Sequence, residues 1–329
     1  MSWAGAAPVV FVLLWSTGFV GAKYGLPYAE PFTFLALRLA IAAALLGAAA
    51  AVTSGRLSRA QLGRAAVSGL LLHATYLGGV FWAISRGTPA GVSAVVVSLQ
   101  PVLVAALAVR LLGERLVLRQ WAGLAVGVLG VGLVVAPGLV GRAGDSPVEG
   151  LLACLLALLG GTLGTLWHKR HGDGIPLLWG AAVQYAAAAV VLAGLSAATE
   201  TQHIEWTGRF VVAMVWLVLA LSIGAILLLL VLLRQGSASA VSSLLYLVPP
   251  ATAVEAFLLF DERLAALSLV GIVVSCVGVA MVVRRPAGAP PVGPPGGEVT
   301  GASPPRAQDA PPLSPPAAQP APQARSTGR

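Results

Sequence analysis

The chain has 329 residues, 57% of them hydrophobic and 10% charged, against a charged share of about 25% in soluble domains. With a mean hydropathy of +0.88 it has too little polar surface to face water on all sides, which excludes an ordinary soluble fold. The net charge of +8 does not point to nucleic acid, because the basic residues fall in short loops between apolar runs and form no single patch.

Ten apolar runs follow one another, near 5–24, 32–53, 65–85, 89–111, 118–137, 149–168, 177–198, 208–232, 238–260 and 265–283. Each is about 20 residues long, the length that crosses the hydrocarbon core. Lipid offers the backbone no hydrogen-bond partner, so the runs are predicted to be helices. None alternates as a barrel strand does. The first run has no basic leader, since residues 1–20 contain neither Lys nor Arg, and it reads as a retained span. Cys154 and Cys276 both fall inside apolar runs and read as small core residues.

The runs repeat. Pro101 is followed thirteen residues later by Glu114-Arg115-Leu116, and Pro249 by Glu262-Arg263-Leu264. The offset of 148 persists from Gly123 to Gly271, from Gly130 to Gly278, and from Val134-Val135 to Val282-Val283. Two copies are thus expected, at 5–137 and 149–284, with five spans each. An odd number of spans inserts the second copy upside down relative to the first, which places a shared cavity near the midplane. With the N-terminus inside, the inner loops and the start of the tail hold eleven basic residues: Arg56, Arg59, Arg64, Arg110, Arg115, Arg119, Lys169, Arg170, Arg234, Arg284 and Arg285. The outer side holds five: Lys23, Arg86, Arg142, Arg209 and Arg263. This bias predicts a cell-membrane protein with both termini cytoplasmic. Residues 286–329 carry thirteen of the 23 prolines, so 285–329 reads as a disordered Pro-rich cytoplasmic tail.

Several segments resemble the EamA unit. The first helix does so through Val12-Leu13-Leu14-Trp15-Ser16-Thr17-Gly18-Phe19 and Lys23-Tyr24-Gly25-Leu26-Pro27, and the entry to the second through Pro31-Phe32-Thr33-Phe34-Leu35-Ala36-Leu37-Arg38. The fourth and fifth do so through Gln100-Pro101, Leu112-Gly113-Glu114-Arg115-Leu116 and Gln120-Trp121-Ala122-Gly123. The second copy does so through Tyr246-Leu247-Val248-Pro249 and Asp261-Glu262-Arg263-Leu264. The chain is similar to ten-helix members of the drug/metabolite transporter superfamily over about residues 5–284. The resemblance implies an all-α permease for small metabolites, often an exporter of amino acids. A multidrug or lipid-linked-sugar exporter of the same fold is the alternative, and an integral membrane enzyme the remote one. The second copy departs early: at an offset near 146, Lys169 and Gln184 occupy the rough places of Lys23 and Arg38.

Glu255 is the least expected residue, a carboxylate inside the ninth span. An intramembrane acid marks proton or cation coupling, or else a structural ion pair or a place near the outer interface. Arg38 either pairs with Glu255, holds an anionic group of the cargo, or snorkels to the interface. Pro101, Pro249 and Pro250 remove backbone donors, which frees carbonyls for a cavity or merely kinks the helices. Trp15, Ser16, His73, Tyr76, Trp82, Gln100, Trp167 and Tyr246 are candidate cavity residues, although Trp and Tyr also collect at membrane interfaces. Gly123-x3-Gly127 and Gly271-x3-Ser275 suit close helix packing. His168 and His171 share a helix face but sit beside Lys169 and Arg170 and have no third ligand, so no metal site is expected. His168-x4-Asp173 is too simple a spacing to indicate catalysis. No Gly-x4-Gly-Lys-Ser/Thr loop is present, so a gradient rather than ATP is expected to drive the protein. No cofactor is expected, and the partners are a small solute and lipid, with the chain a monomer or homodimer.

Overall fold

The computed structural model describes residues 3–53, 57–111, 117–140, 147–225, 228 and 244–283. Glu114 and the tail at 285–329 lie outside them. Among the described residues every regular element is helical, and the one β-bridge joins Ala29 to Ile204.

In chain order the helices are α1 (Trp3–Gly25), α2 (Pro31–Thr53), α3 (Arg59–Ser85), α4 (Ala90–Val97), α5 (Gln100–Leu111), α6 (Leu118–Val140), α7 (Pro147–His171), α8 (Leu177–Thr199), α9 (Gly208–Ala225), α10 (Val248–Phe260) and α11 (Ala266–Val283). Among the described residues eight helical stretches are long and apolar enough to cross a membrane, α4 and α5 together forming one, and α10 and α11 are shorter apolar helices. Large apolar side chains point outward along them: Val190 is 73% exposed and Leu258 72%. That perimeter is stable only against hydrocarbon.

The third run starts earlier than its hydropathy indicates. Ser58 and Gln61 form a reciprocal cap: the Gln61 backbone N–H donates to Ser58 Oγ (3.2 Å), and the Ser58 N–H donates to Gln61 Oε1 (2.9 Å). The cap starts the helix at Arg59, ahead of its apolar part. The fourth run is interrupted at Ser98-Leu99, so Pro101 falls in the first turn of α5. Pro249 and Pro250 likewise open α10. A first-turn proline forfeits no intrahelical donor. These prolines therefore begin helices and do not interrupt them.

Two helices are locally wound as π-helix: Leu70–Thr75 in α3 and Trp216–Ala225 in α9. The offset of 148 carries Leu70 to Val218 and Thr75 to Ile223, so the two wide turns occupy matching places in the two copies.

Glycines set the crossing of α6 and α11. A Cβ at Gly123 would sit 2.7 Å from the Gly278 carbonyl oxygen, and one at Gly271 would sit 2.6 Å from that of Gly130. Cβ atoms at Gly130 and Gly278 would strike the backbones of Ser275 and Gly127. Under the offset Gly123 becomes Gly271, Gly127 becomes Ser275 and Gly130 becomes Gly278. Each contact therefore maps onto its reciprocal. Close approach of small residues is the main attraction open to helices in lipid.

The largest core cluster is aromatic at its centre: Phe34 packs on Phe81 (5.6 Å) and on Phe210 (5.3 Å). These contacts join α2, α3 and α9.

Gly278→Leu is expected to lower stability by about 1–3 kcal/mol, because the obstacle is backbone that cannot yield. Gly132→Ala, whose Cβ meets nothing within 4 Å, is expected to leave it unchanged. Thermal unfolding of both variants in detergent checks the contrast.

Candidate functional site

Two polar clusters lie inside the helices. In the first, α1 crosses α10 and brings fully buried Ser16 to Glu255, with Oγ 2.7 Å from Oε1. The same Ser16 Oγ lies 2.9 Å from the Leu13 carbonyl oxygen. A hydroxyl has one hydrogen, so it cannot donate to both oxygens at full strength. With Glu255 ionised, Ser16 donates to the carboxylate. With Glu255 protonated, the carboxyl donates to Ser16 and Ser16 donates to Leu13. The geometry accommodates either protonation state of the acid. Glu255 Oε2 and the Oγ1 of Thr252, one turn earlier, are buried without a hydrogen-bond partner among the described residues. Trp15 packs beside this cluster on Phe11 (5.4 Å).

The second cluster centres on Arg38, which is 3% exposed. Its Nε and one Nη donate to Ser222 Oγ at 3.3 and 3.2 Å. Tyr185 donates through its hydroxyl to the Ser222 carbonyl (3.3 Å), and the His73 ring packs edge-on against Tyr185 (4.6 Å). The Phe81 ring lies 6.0 Å from the guanidinium carbon. Both wide turns thus contribute, His73 from α3 and Ser222 from α9. Arg38 and Glu255 are not ion-paired: the acid's partner is Ser16 and the base's is Ser222.

A neutral link joins α5 to α7. Gln100 Nε2 donates to the Gly161 carbonyl (3.1 Å) and to Thr165 Oγ1 (2.8 Å), with the Tyr76 ring against Gly161. The remaining aromatic candidates lie apart. Trp82 is under Arg86 (4.9 Å) near the C-terminal end of α3. Trp167, near the other end of α3, donates to the Arg64 carbonyl (3.1 Å) and stacks on His171 (4.0 Å). The Tyr246 side chain is outside the described residues. The structure therefore brings Ser16 to Glu255, His73 to Arg38 through Tyr185, and Gln100 to Tyr76. It leaves Trp82 and Trp167 at opposite ends of α3.

At the Trp82 end, three acids organise the surface, Glu30 and Glu200, which the sequence did not single out, and Glu262 of the repeated motif. Glu200 caps α2: its Oε1 accepts from the Phe32 N–H (2.8 Å), and its Oε2 accepts from the N–H and hydroxyl of Thr33 (both 2.7 Å). Glu30 Oε2 accepts from the N–H groups of Thr201 (2.7 Å) and Gln202 (3.1 Å). These two acids border a depression of about 700 Å³. A second depression, about 640 Å³, adjoins it and is lined by Lys23 and Phe260. Lys23 Nζ lies 3.1 Å from Glu262 Oε2 as an ion pair without hydrogen-bond alignment, and 4.9 Å from the centre of the Phe260 ring. Glu262 Oε1 accepts from the Ala90 N–H at the start of α4 (3.0 Å). In the sequence Glu262 stood out as part of the repeated Glu-Arg-Leu motif, whereas Glu30 and Glu200 carried no signal of the helix starts they serve in space.

The EamA-like transporter family matches residues 2–136 and, separately, 148–284. The chain belongs to the EamA-like transporter family. It is 27% identical over 273 residues to the uncharacterized transporter YvbV of Bacillus subtilis (strain 168), covering 82% of this chain and 88% of that one. It is 25% identical over 284 residues to a probable amino-acid metabolite efflux pump of Escherichia coli (strain K12), covering 83% and 92%. A solved structure described only as "Crystal structure of protein" superposes with a TM-score of 0.60 at 20% identity, over 84% of this chain and 95% of that one, a likeness of fold. The chain is thus a multi-pass membrane transporter, and its family and relatives indicate carriage of solutes rather than catalysis.

Glu200→Ala removes the acceptors of the Phe32 and Thr33 N–H groups and is expected to cost about 1–2 kcal/mol. Glu200→Gln keeps one carbonyl oxygen and is expected to cost less. Thermal unfolding of the purified variants measures the difference.

Proposed function

We propose that this EamA-family chain is a secondary transporter of small metabolites such as amino acids, working by alternating access between two inverted five-helix repeats. The repeats are 5–137 and 149–284, together ten spans, in the cell (inner) membrane with both termini inside. The odd number of spans per repeat and the basic-residue bias support this topology. So does the reciprocity of the α6–α11 glycine contacts, since a pseudo-two-fold axis exchanges each contact with its partner. The relative in E. coli, described as a probable amino-acid metabolite efflux pump, supports the cargo class and an outward direction.

The observation that carries the coupling mechanism is the Ser16–Glu255 pair. Its hydroxyl is donor to the ionised acid and acceptor from the protonated one, so the pair survives loss and gain of a proton. Glu255 therefore takes up a proton from one side and releases it to the other as the repeats rock. The repeat does not demand the charge, because Leu107 stands at the corresponding place.

In proteoliposomes, Glu255→Gln is expected to abolish gradient-driven accumulation and to leave solute exchange intact, since the amide keeps the shape and carries no exchangeable acid proton. Unchanged pH dependence of net transport in a stable variant would overturn the coupling role. The topology has its own test. Single cysteines at 114 and 262 are expected to label from the inner and outer face respectively, and equal labelling of both would reject the inverted arrangement.

A further inference from the structure

Among the described residues nothing around Arg38 neutralises its charge. It lies on α2 seven residues past Pro31, nine-tenths or more buried. A guanidinium presents five N–H donors in a planar fork. Two of them converge on one neutral oxygen, Ser222 Oγ, at 3.3 and 3.2 Å. A charge-assisted bond is nearer 2.7–2.9 Å, so these are long. Ser222 cannot compensate the charge, and its own hydrogen is directed to the Leu217 carbonyl (3.0 Å). Among the described residues no carboxylate lies within ion-pair range of Arg38. The groups that face it are Ser222, Tyr185, His73 and the Phe81 ring, none of them an anion. Charged side chains inside a membrane are otherwise paired or exposed to a cavity.

We infer that Arg38 is the seat for a carboxylate of the cargo, so that the transported solutes are small metabolites carrying one such group. This rests on the transport reading above and narrows it. The chemistry is specific: a planar fork meets a planar carboxylate through two parallel N–H···O bonds, which a lysine ammonium does not reproduce. Access is built into the wall. Ser222 lies in the π-helical turn of α9, and His73, behind Tyr185, in that of α3. A wide turn returning to α-helical register shifts the residues on it, which withdraws Ser222 from the guanidinium and frees its donors. The seat is also single. Where the second copy would repeat Arg38, Gln184 stands instead, so the site holds one anionic head and the cargo enters in one orientation.

The test uses the full-length protein in detergent and in proteoliposomes. The probes are monocarboxylates, neutral L-amino acids, and the matching amino-acid amides, which lack only the carboxylate. Millimolar carboxylate is expected to raise the unfolding temperature of the wild type, and the amides are not. Arg38→Lys is expected to keep a reduced preference and Arg38→Gln to lose it. Should Arg38→Gln fail to fold, the acid-against-amide contrast in the wild type decides alone. An equal response to acids and amides, or no response to any carboxylate, overturns the inference. So does stabilisation by inorganic phosphate or by phosphatidylglycerol vesicles with the carboxylates silent, which would make the seat one for phosphate or lipid headgroups. The two readings fail separately. Transport without acid preference rejects the seat alone, whereas acid preference in a protein that moves no solute rejects the transport reading alone.

Discussion

Lipid is as apolar as leucine, so burying leucine between these helices gains little, and the structure depends on what joins helices without the hydrophobic effect. The answer at α6 and α11 is bare backbone. Gly123, Gly130, Gly271 and Gly278 bring the two main chains within reach of each other, and dispersion between them replaces side-chain packing. The same device recurs where Gly79 approaches the Ala153 carbonyl, while Gly160 and Gly164 make room on α7 for the side chains of Thr75 and Leu72. Elsewhere the joints are polar: Glu200 on the start of α2, Gln100 on α7, Ser16 on Glu255. Each satisfies donors that would be costly to leave open in hydrocarbon.

The scaffold follows the duplication and the interior departs from it. Glycine contacts and wide turns recur at the offset of 148. The charged interior groups do not: Leu107 corresponds to Glu255 at that offset, and Gln184 to Arg38 at one near 146. The joint between α1 and α10 carries an acid on a hydroxyl, whereas that between α5 and α7 carries the neutral amide of Gln100 on Gly161 and Thr165. A symmetric frame supports matched rocking of the two copies. A symmetric interior would hold two equal sites, and one-sided charges select a single one.

Eight spans among the described residues were legible because hydropathy over some 20 residues is a strong signal, and the glycine crossing was legible because the small-residue spacing occurs twice. What escaped was set by distance in space. Ser16 and Glu255 are 239 positions apart, and nothing in either segment names the other. Arg38 and Glu255 were natural partners by charge, yet each is held by a serine. Ser222 lay unremarked within an apolar run, since a lone hydroxyl leaves hydropathy almost unchanged. The start of α3 at Arg59 was set by the cap of Ser58 and Gln61, which a hydropathy window does not weigh.

The charged links at the Trp82 end divide by what they hold. Glu200 and Thr33, with Ser196 at 2.6 Å from the Thr33 hydroxyl, bind α2 to the end of α8, and Glu30 binds the following loop back. Lys23 and Glu262 bind the end of α1 to the loop after α10, and through Ala90 to the start of α4. A motion that carries α2 and α8 as one body disturbs none of the first set. A motion that parts α1 from α10 at this end must break the partly exposed Lys23–Glu262 ion pair and lift Lys23 and Tyr24 from the Phe260 ring, while the capping bond of Glu262 to Ala90 stays with α10. An ion pair near water contributes little net stability. The weak joint is therefore the one across which α1 and α10 part, and it lies on the same two helices that hold Ser16 and Glu255. The proposed proton exchange at Glu255 and separation at this end would then share one pair of helices, as coupling between an ion and a solute requires.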